Sequence, residues 1–221
     1  MGEVKVIKIG ESVFAANDDI ADRTRERLRK NGTFFINVMS APGSGKTTLL
    51  IKLINILKEK YRIGVLDVDI ESSLDAVKVA DATGVLSIQI NNGGLCHIDA
   101  DMAARALEQA DIDGLDILIL ENIGNLVCPA EFDVGSHKKI MLTSVPEGDD
   151  KPLKYPLMFQ VSDAVIINKT DTLGYFDYDF DAAKDRILAL NPGARIFCVS
   201  AKTGEGVEEI AKWIEEQTEA L

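Results

Sequence analysis

Short apolar runs alternate with amphipathic segments from residue 33 to the end of the chain. The runs are mostly uninterrupted, which is typical of strands buried on both faces of a parallel sheet. They predict strands at Phe34–Met39, Ile63–Leu66, Leu86–Ile90, Ile117–Leu120, Ile140–Thr143, Ala164–Ile167 and Arg195–Val199. Helical periodicity predicts helices that begin near Lys46, Ser73, His97, Leu153, Phe180 and Glu205. The alternation predicts an α/β fold, in which a mostly parallel sheet of about seven strands is flanked by helices on both faces.

Residues 11–31 predict one further helix ahead of this alternation. Apolar residues recur there at helical spacing, and Gly32 is a typical C-terminal stop. The residues expected on its buried face are Val13, Ala16, Ile20 and Leu28. Because no linker, repeat or low-complexity tract interrupts the chain, we expect residues 1–221 to form a single domain with this helix as an appendage. The helix either packs on the domain, which is the simpler reading, or docks a partner protein.

Composition and charge narrow the class of protein. The formal net charge of −12 disfavours nucleic acids and anionic membrane surfaces as main partners. Three cysteines, an odd number, indicate a reducing compartment rather than a disulfide framework. No apolar stretch reaches the roughly 18 residues that a membrane span needs, and the N-terminal residues show no signal-peptide pattern. We therefore expect a cytoplasmic protein.

The segment "SAPGSGKTT" follows the first predicted strand and precedes a helix. It matches the phosphate-loop pattern except that Ser40 replaces the first glycine. Glycines allow the backbone N–H groups to point inward, the lysine reaches the β- and γ-phosphates, and the threonine hydroxyl completes a Mg²⁺ site. A glycine-rich turn that binds nothing is the alternative, but the strand–loop–helix order favours a P-loop NTPase. The predicted nucleotide-binding residues here are Gly43, Ser44, Gly45, Lys46, Thr47 and Thr48.

The segment "VIINKTD" indicates which nucleotide binds. Asn168, Lys169 and Asp171 form the N-K-x-D pattern directly after a predicted strand. A carboxylate can accept hydrogen bonds from both N1–H and the 2-amino group of guanine, a donor pair that adenine lacks. Ser200, Ala201 and Lys202, the "SAK" after the next strand, resemble the loop behind guanine O6 in GTP-binding proteins. The pattern could also be a plain strand-ending turn, but its position behind a phosphate loop favours GTP and GDP as ligands.

Acidic residues at two further strand ends are candidates for Mg²⁺ binding and for switching. In "DILILENIG", Glu121 and Gly124 resemble the D-x-x-G switch with glutamate in place of aspartate. Asp69 and Asp75 follow another strand, and Asp75 could equally be a solvated helix cap. We assign Lys46, Asp75, Glu121 and Gly124 to catalysis and Thr47, Asp69, Asp75 and Glu121 to Mg²⁺. With no obvious arginine finger or catalytic glutamine, intrinsic hydrolysis should be slow.

Two short segments carry a possible transition-metal site. Cys96 and His97 stand side by side where a helix is predicted to begin, and Cys128 lies in the loop after Glu121. A helix N-terminus lowers a thiol pKa, and thiolate with imidazole suits Zn²⁺ or Ni²⁺. Buried, inert cysteines are the alternative, and Cys198, within the apolar "RIFCV", fits that reading. Three ligands leave such a site incomplete, whereas a symmetric dimer would offer two copies.

These motifs together resemble the HypB family of hydrogenase-maturation GTPases, almost from end to end. The segments that carry the resemblance are "GSGKTTLL", "CHIDADM", "LENIGNLVCPAEFDVG", "EGDDKPLKYP", "VIINKTD" and "KTGEGVEEI". The resemblance implies a GTPase that dimerises with GTP, handles nickel or zinc at the dimer interface, and serves HypA-like maturation proteins and the hydrogenase large subunit. It also implies that Cys96, His97 and Cys128 are metal ligands, that Asp75 is the first-switch acid, and that Asn168 and Asp171 read guanine.

The chain departs from the family in two places. It lacks the cysteine-rich and histidine-rich N-terminal nickel motifs of some relatives, and Val68 and residues 71–73 differ from the expected first-switch pattern. The alternatives are a urease-type nickel-delivery GTPase, a P-loop small-molecule kinase, a partitioning ATPase and a passive metal buffer. Within the hydrogenase reading, GTP and Mg²⁺ would order the loops at Asp75 and Glu121–Gly124 and thereby gate the metal bound at Cys128 and Cys96–His97.

Overall fold

A seven-stranded sheet forms the centre of the computed structural model, which describes residues 10–69 and 73–221. The strands lie in the order β3-β2-β4-β1-β5-β6-β7, and every neighbouring pair is parallel. Their bounds are β1 Phe34–Ser40, β2 Ile63–Asp69, β3 Leu86–Asn91, β4 Ile117–Gly124, β5 Lys138–Ser144, β6 Ala164–Asn168 and β7 Arg195–Cys198. Each predicted strand is present, and the predicted parallel α/β fold is confirmed.

The helices lie between the strands, with some boundaries shifted from the predicted ones. Their bounds are α1 Gly10–Lys30, α2 Lys46–Leu57, α3 Leu74–Thr83, α4 Ala100–Gln109, α5 Cys128–Glu131, α6 Lys151–Lys154, α7 Pro156–Gln160, α8 Phe180–Leu190 and α9 Val207–Glu219, with 3₁₀ turns at Val145–Glu147 and Thr170–Tyr175. The helix expected near His97 begins three residues later, because the Asp99 side chain accepts a hydrogen bond from the N–H of Met102 and caps it. The helix expected near Leu153 is split in two, since Tyr155 precedes a proline and leaves the helical region (φ −131°, ψ 55°).

Helix α1 packs through a face that differs from the predicted one. Its buried residues are Asn17, Ala21, Thr24 and Leu28, whereas Ala16 is exposed and Ile20 is half-buried. The side chain of Val13 lies outside the described residues, as do Glu71 and Ser72 of the predicted first switch. The buried face contacts α4 and β1. Two of its four buried side chains, Asn17 and Thr24, are polar. Gly32 (φ +73°) follows the helix, as expected for its stop.

Apolar clusters cover both faces of the sheet. On one face, α2, α3 and α9 pack on alternate residues of β1 such as Phe34 and Ile36. On the other face, α1 and α4 pack on Phe35, and α7 and α8 pack near Met39. Because all strands are parallel, their C-terminal ends meet at one edge, and the loops that follow β1, β2, β4 and β6 converge there.

Candidate functional site

The loop between β1 and α2 forms the floor of a cleft of about 430 Å³. Gly43 and Gly45 adopt the left-handed conformation, with φ of 75° and 99°. A Cβ on Gly45 would lie 2.6 Å from Nδ2 of Asn168, so both the angle and the lack of space require glycine there. Helix α2 begins directly at Lys46 and directs its positive N-terminal end at the loop. Thr48 lines the same cleft.

Lys46, the first residue of α2, is half-buried next to this loop. Its Nζ donates to Oγ of Ser40 at 2.9 Å, so the serine that replaces the usual glycine provides a partner for the lysine. Burial lowers the pKa of Lys46, and the charges of Glu121, Asp67 and other carboxylates oppose that shift. The lysine is therefore held close to acidic groups at the site where a phosphate chain would bring further negative charge.

Two buried carboxylates lie next to Lys46, on neighbouring strands. Asp67 of β2 and Glu121 of β4 are direct partners in the sheet register. Burial is the main cause that raises the pKa of Glu121 to about 7 and that of Asp67 to about 6. Thr47 Oγ1 donates to Oε1 of Glu121 at 2.7 Å. Oε2 of Glu121 and Oδ2 of Asp67 are buried and have no hydrogen-bond partner among the described residues.

The donor set of this cleft fits a hard divalent cation. A hydroxyl and carboxylates with spare lone pairs are the ligands that Mg²⁺ prefers, and a cation would compensate the buried negative charge. Thr47, Glu121, Asp69 and Asp75 were the predicted Mg²⁺ residues, and all four line the cleft. Asp67 was not predicted. Its signal was its position in "DVD", where the alternation of a strand places Asp67 on the same face as Asp69 and two residues further from the strand end.

The two switch candidates also border the cleft. Asp75 lies in the first turn of α3, and its Oδ1 accepts from Nζ of Lys78 at 2.7 Å. Gly124 ends β4 against the phosphate loop, where an added Cβ would lie 3.0 Å from Cα of Pro42. A larger residue at position 124 would therefore push the two loops apart, which makes the Gly124 segment sensitive to the position of the phosphate loop.

Ser44 is held by a residue that was not predicted. Its hydroxyl lies 2.7 Å from Oε1 of Glu147 and 2.9 Å from the carbonyl oxygen of Ala41, and Ser144 donates to the same Oε1 at 2.8 Å. Lys151 lies 3.6 Å from the other oxygen of Glu147. Glu147 belongs to "EGDDKPLKYP", a segment that contributed to the resemblance but carried no assigned role.

The predicted guanine-binding residues lie beside the phosphate loop. Asn168 Nδ2 donates to the carbonyl of Ser44 at 2.9 Å, and its Oδ1 accepts from the N–H of Ala201 at 2.9 Å. Lys169 has a left-handed backbone (φ 61°), and its Nζ donates to the carbonyl of Gly43 at 2.7 Å. The structure thus joins the N-K-x-D segment to both the phosphate loop and the "SAK" loop.

Asp171 and the remaining "SAK" residues meet on the other side of this segment. Ser200 Oγ donates to Oδ1 of Asp171 at 2.7 Å and so orients the carboxylate. Lys202 is mostly exposed, and its Nζ lies 4.0 Å from Oδ2 of Asp171. At that distance and exposure the Lys202 ion pair contributes little, so Ser200 is the residue that positions the carboxylate.

Cys96, His97 and Cys128 lie together, as predicted from the sequence. The two sulfur atoms are 3.2 Å apart, Nδ1 of His97 is 3.7 Å from Sγ of Cys96, and the three ligand atoms all lie within 4.8 Å of one another. All three side chains reach solvent at least in part. Two thiols and an imidazole at this spacing can bind a borderline-soft divalent ion such as Zn²⁺ or Ni²⁺.

The predicted position of Cys96 and His97 at the start of a helix is wrong. The pair precedes α4, which begins at Ala100 with Asp99 as its cap. Cys128 does begin a helix, α5, but only a four-residue one. The hydrogen bond with Cys96, and then burial, raise the pKa of the Cys128 thiol, because both favour its protonated form. A divalent cation bound between the sulfur atoms would instead favour the thiolate form of Cys128.

Neighbouring side chains connect this cluster to the rest of the site. Asn125, directly after Gly124, donates from Nδ2 to the carbonyl of Cys96 at 3.1 Å and accepts from the N–H of Val127 at 2.8 Å. The ring of His97 stacks on Phe132 with centroids 4.1 Å apart and planes 14° apart. Neither contact was predicted, because neither residue type in those positions has a sequence signature.

The chain matches known proteins over most of its length. The nucleotide-binding domain of CobW, HypB and UreG matches residues 34–198. The hydrogenase maturation factor HypB of Azotobacter chroococcum mcd 1 is 42% identical over 219 residues, which covers 98% of this chain and 71% of that protein. The hydrogenase/urease maturation factor HypB of Helicobacter hepaticus (strain ATCC 51449 / 3B1) is 41% identical over 96% of this chain and 88% of that protein.

Comparison with solved structures also finds a HypB protein. The crystal structure of HypB from Helicobacter pylori in complex with nickel superposes with a TM-score of 0.86 and 38% sequence identity, covering 93% of this chain and 96% of that one. The chain therefore belongs to the HypB family of hydrogenase maturation factors, within the CobW/HypB/UreG group of P-loop nucleotide-binding domains.

Proposed function

We propose that this protein is a GTP-hydrolysing metallochaperone that delivers nickel during [NiFe]-hydrogenase maturation, and that GTP-dependent dimerisation gates its metal site. One observation carries the proposal. A single segment, Glu121–Cys128, begins at the carboxylate beneath the phosphate loop and ends at a thiol of the Cys/His cluster. A change at one end of so short a segment reaches the other end. We also propose that residues 1–221 form one GTPase domain.

The nucleotide end of the site has a division of roles. Gly43, Ser44, Gly45, Lys46 and Thr48 hold the phosphates, and Asn168, Lys169, Asp171, Ser200, Ala201 and Lys202 form the guanine pocket. Thr47, Glu121, Asp67, Asp69 and Asp75 would hold Mg²⁺. When bound, the ion supplies positive charge that neutralises the β- and γ-phosphate oxygens. Lys46, held by Ser40, adds positive charge at the same place, and Gly124 offers its N–H to the γ-phosphate.

Slow hydrolysis follows from what surrounds the cleft. Among the described residues that line it there is neither an arginine to neutralise transition-state charge nor a glutamine to orient the attacking water. A GTPase without these groups turns over more slowly than about 10⁻² per second. Slow turnover suits a switch, since the GTP-bound state lasts long enough for a delivery step.

The metal end of the site is suited to nickel as cargo. Cys96, His97 and Cys128 offer three ligands, and the copy of the cluster in a second chain would complete the coordination. Exposed apolar side chains flank both ends of the site by sequence, at Leu74 and Val77 on α3 and at Leu95 and Val127 beside the thiols. Their exposure supports a homodimer, in which a second copy of the chain would bury them.

The partners and the location follow from the family and the charge. We propose HypA-like maturation proteins and the hydrogenase large subunit as partners, a cytoplasmic location, and no role for nucleic acid or membrane. The net charge is −12, and no described helix combines the length and apolarity of a bilayer crossing. Urease maturation is a second candidate function, because a relative 41% identical is named a hydrogenase/urease maturation factor.

The test combines hydrolysis, nickel binding and sizing on the purified protein. We expect phosphate release from GTP and not from ATP, without a phosphorylated acceptor, and binding of Ni²⁺. We also expect a shift from monomer to dimer with Mg²⁺ and a non-hydrolysable GTP analogue. Lys46→Ala should abolish the nucleotide effects and leave nickel binding intact. Equal use of ATP, or a phosphorylated small-molecule product, would overturn the GTPase reading and favour a kinase.

A further inference from the structure

We propose that helix α1 positions the metal ligands, and that the side chain of Asn17 fixes the spacing between the two loops that carry them. The inference rests on the proposed nickel role of Cys96, His97 and Cys128. It changes the role of α1 from an appendage to a part of the metal site. The helix supplies no ligand itself, so Asn17 is a positioning residue.

Asn17 joins the two ligand-bearing segments through one amide group. Its Oδ1 accepts from the N–H of Ala100 at 2.8 Å, and its Nδ2 donates to the carbonyl of Asp133 at 2.9 Å. Ala100 is the first residue of α4 and follows His97 by three positions, whereas Asp133 follows Cys128 by five. Asn17 is only 7% exposed, so water does not compete for these bonds. The amide is the group that can donate to one segment and accept from the other.

The backbone next to each anchor is rigid enough to transmit this constraint. Ile98 and Ala100 are fully buried, so His97 projects from a fixed stretch of chain. On the other segment, the ring of Phe132 lies directly before Asp133 and stacks on the imidazole of His97 at 4.1 Å. Phe14 of α1 contacts the other side of this arrangement, with its ring centroid 5.5 Å from that of Phe132. Helix α1 therefore contacts the imidazole support as well as both loops.

Simple packing of α1 on the domain does not account for this arrangement. An amphipathic helix that only needs to pack buries apolar residues, as α1 does at Ala21 and Leu28. At Asn17 it instead buries an amide that hydrogen-bonds to both ligand-bearing segments. Partners that orient metal ligands typically change metal affinity 10- to 100-fold when they are removed.

The test is titration of the full-length protein with Ni²⁺ alone, read by thiolate-to-nickel charge-transfer absorption and by chelator competition. Asn17→Ala should weaken nickel affinity about 10- to 100-fold and alter the absorption spectrum. Asn17→Asp keeps the acceptor for Ala100 but places a carboxylate oxygen against the carbonyl oxygen of Asp133, so its loss of affinity should be at least as large as that of Asn17→Ala. The matched control is Leu28→Ala, about 16 Å further along the same helix. It should lower the melting temperature at least as much and leave nickel affinity within about threefold of the wild type.

Each outcome decides the proposal. Nickel affinity unchanged in folded Asn17→Ala, or an equal loss in Leu28→Ala, would show that α1 acts only through overall stability. Should Asn17→Ala fail to fold, Phe132→Leu decides instead, because it removes the flat support of His97 and leaves Asn17 in place. It should weaken nickel affinity, and wild-type affinity would overturn the inference. If the wild-type protein does not bind nickel, the proposed function itself is wrong. If the wild type binds nickel and the variants bind it equally well, only the role of α1 is wrong.

Discussion

Replacement of Glu121 by glutamine should stabilise the nucleotide-free protein while removing its response to Mg²⁺. Glu121 is buried at 3% exposure, and burial raises its pKa to about 7 from the ordinary value of 4.5. The pKa of Glu121 is raised although the positive charge of Lys46 lowers it. The variant keeps an oxygen that can accept from Thr47, and its amide N–H groups face a region where the charges of Asp67 and Asp75 act.

The magnitude follows from linkage between protonation and folding. When folding raises the pKa of a carboxyl group, the stability of the protein is highest at pH values below the pKa of the unfolded state. Stability then decreases as the pH rises to the pKa of the folded state. The folded and unfolded pKa values of Glu121 differ by about 2.5. At about 1.4 kcal/mol for each pKa unit, the wild-type protein loses roughly 3–4 kcal/mol of stability by pH 8. At pH 5 the loss falls below about 1 kcal/mol. Glu121→Gln should therefore be more stable than wild type at pH 8, with most of the gain absent at pH 5.

The assay is urea denaturation of both proteins at pH 5 and pH 8, without nucleotide or divalent ions. A parallel titration with a non-hydrolysable GTP analogue, with and without Mg²⁺, measures function. We expect Mg²⁺ to strengthen analogue binding in wild type and not in the variant. A variant that is less stable than wild type at pH 8, or whose stability difference is the same at both pH values, would refute the idea that Glu121 is a strained carboxylate awaiting a cation.

Three further predictions test other parts of the molecule. Asp171→Asn should weaken GTP binding about 100-fold by removing the acceptor for two guanine donors, measured by fluorescent-nucleotide titration; an unchanged affinity would remove Asp171 from the base pocket. His137 accepts from the N–H of Phe35, and burial lowers its pKa to about 4, so its own contribution to stability should fall by about 1–2 kcal/mol as pH drops from 7 to 5, against the opposite contribution of Glu121. Urea denaturation of His137→Gln should lack this fall, so the variant should become more stable relative to wild type at pH 5 than it is at pH 7, and a pH dependence equal to that of wild type would contradict the assignment. Cys128→Ser should lower Ni²⁺ affinity at least about 100-fold while GTP binding stays intact, whereas Cys198→Ser, the matched control, should bind nickel as wild type does.

The fold was predictable because each strand has its own local signal. Seven apolar runs, most of them uninterrupted, with amphipathic segments between them, leave few alternatives to a parallel sheet. The errors arose where tertiary contacts override local pattern. Helix α1 buries Asn17 and Thr24 in place of Ala16, because its buried face is set by hydrogen bonds to distant segments as well as by apolar surface. Helix α4 starts at its Asp99 cap and not at the Cys–His pair.

The site was predictable where chemistry requires fixed spacing along the chain. The phosphate loop, N-K-x-D and the Cys–His pair each lie within a few residues, so the sequence displays them directly. The sequence did not indicate Asp67, Glu147 or Asn125, because the residues that they contact are distant along the chain. Glu147 contacts Ser44, and Asn125 contacts Cys96. The support of His97 by Phe132 was missed for the same reason, since an aromatic residue in a loop has no characteristic pattern.

The measurement that tests the central claim most directly is the affinity of the wild-type protein for Ni²⁺ with GDP and with a non-hydrolysable GTP analogue, each with Mg²⁺. Coupling through Glu121–Cys128 predicts that the two nickel affinities differ by at least about fivefold, and that nickel changes the preference for analogue over GDP by the same factor. Equal nickel affinities in the two nucleotide states would contradict the account.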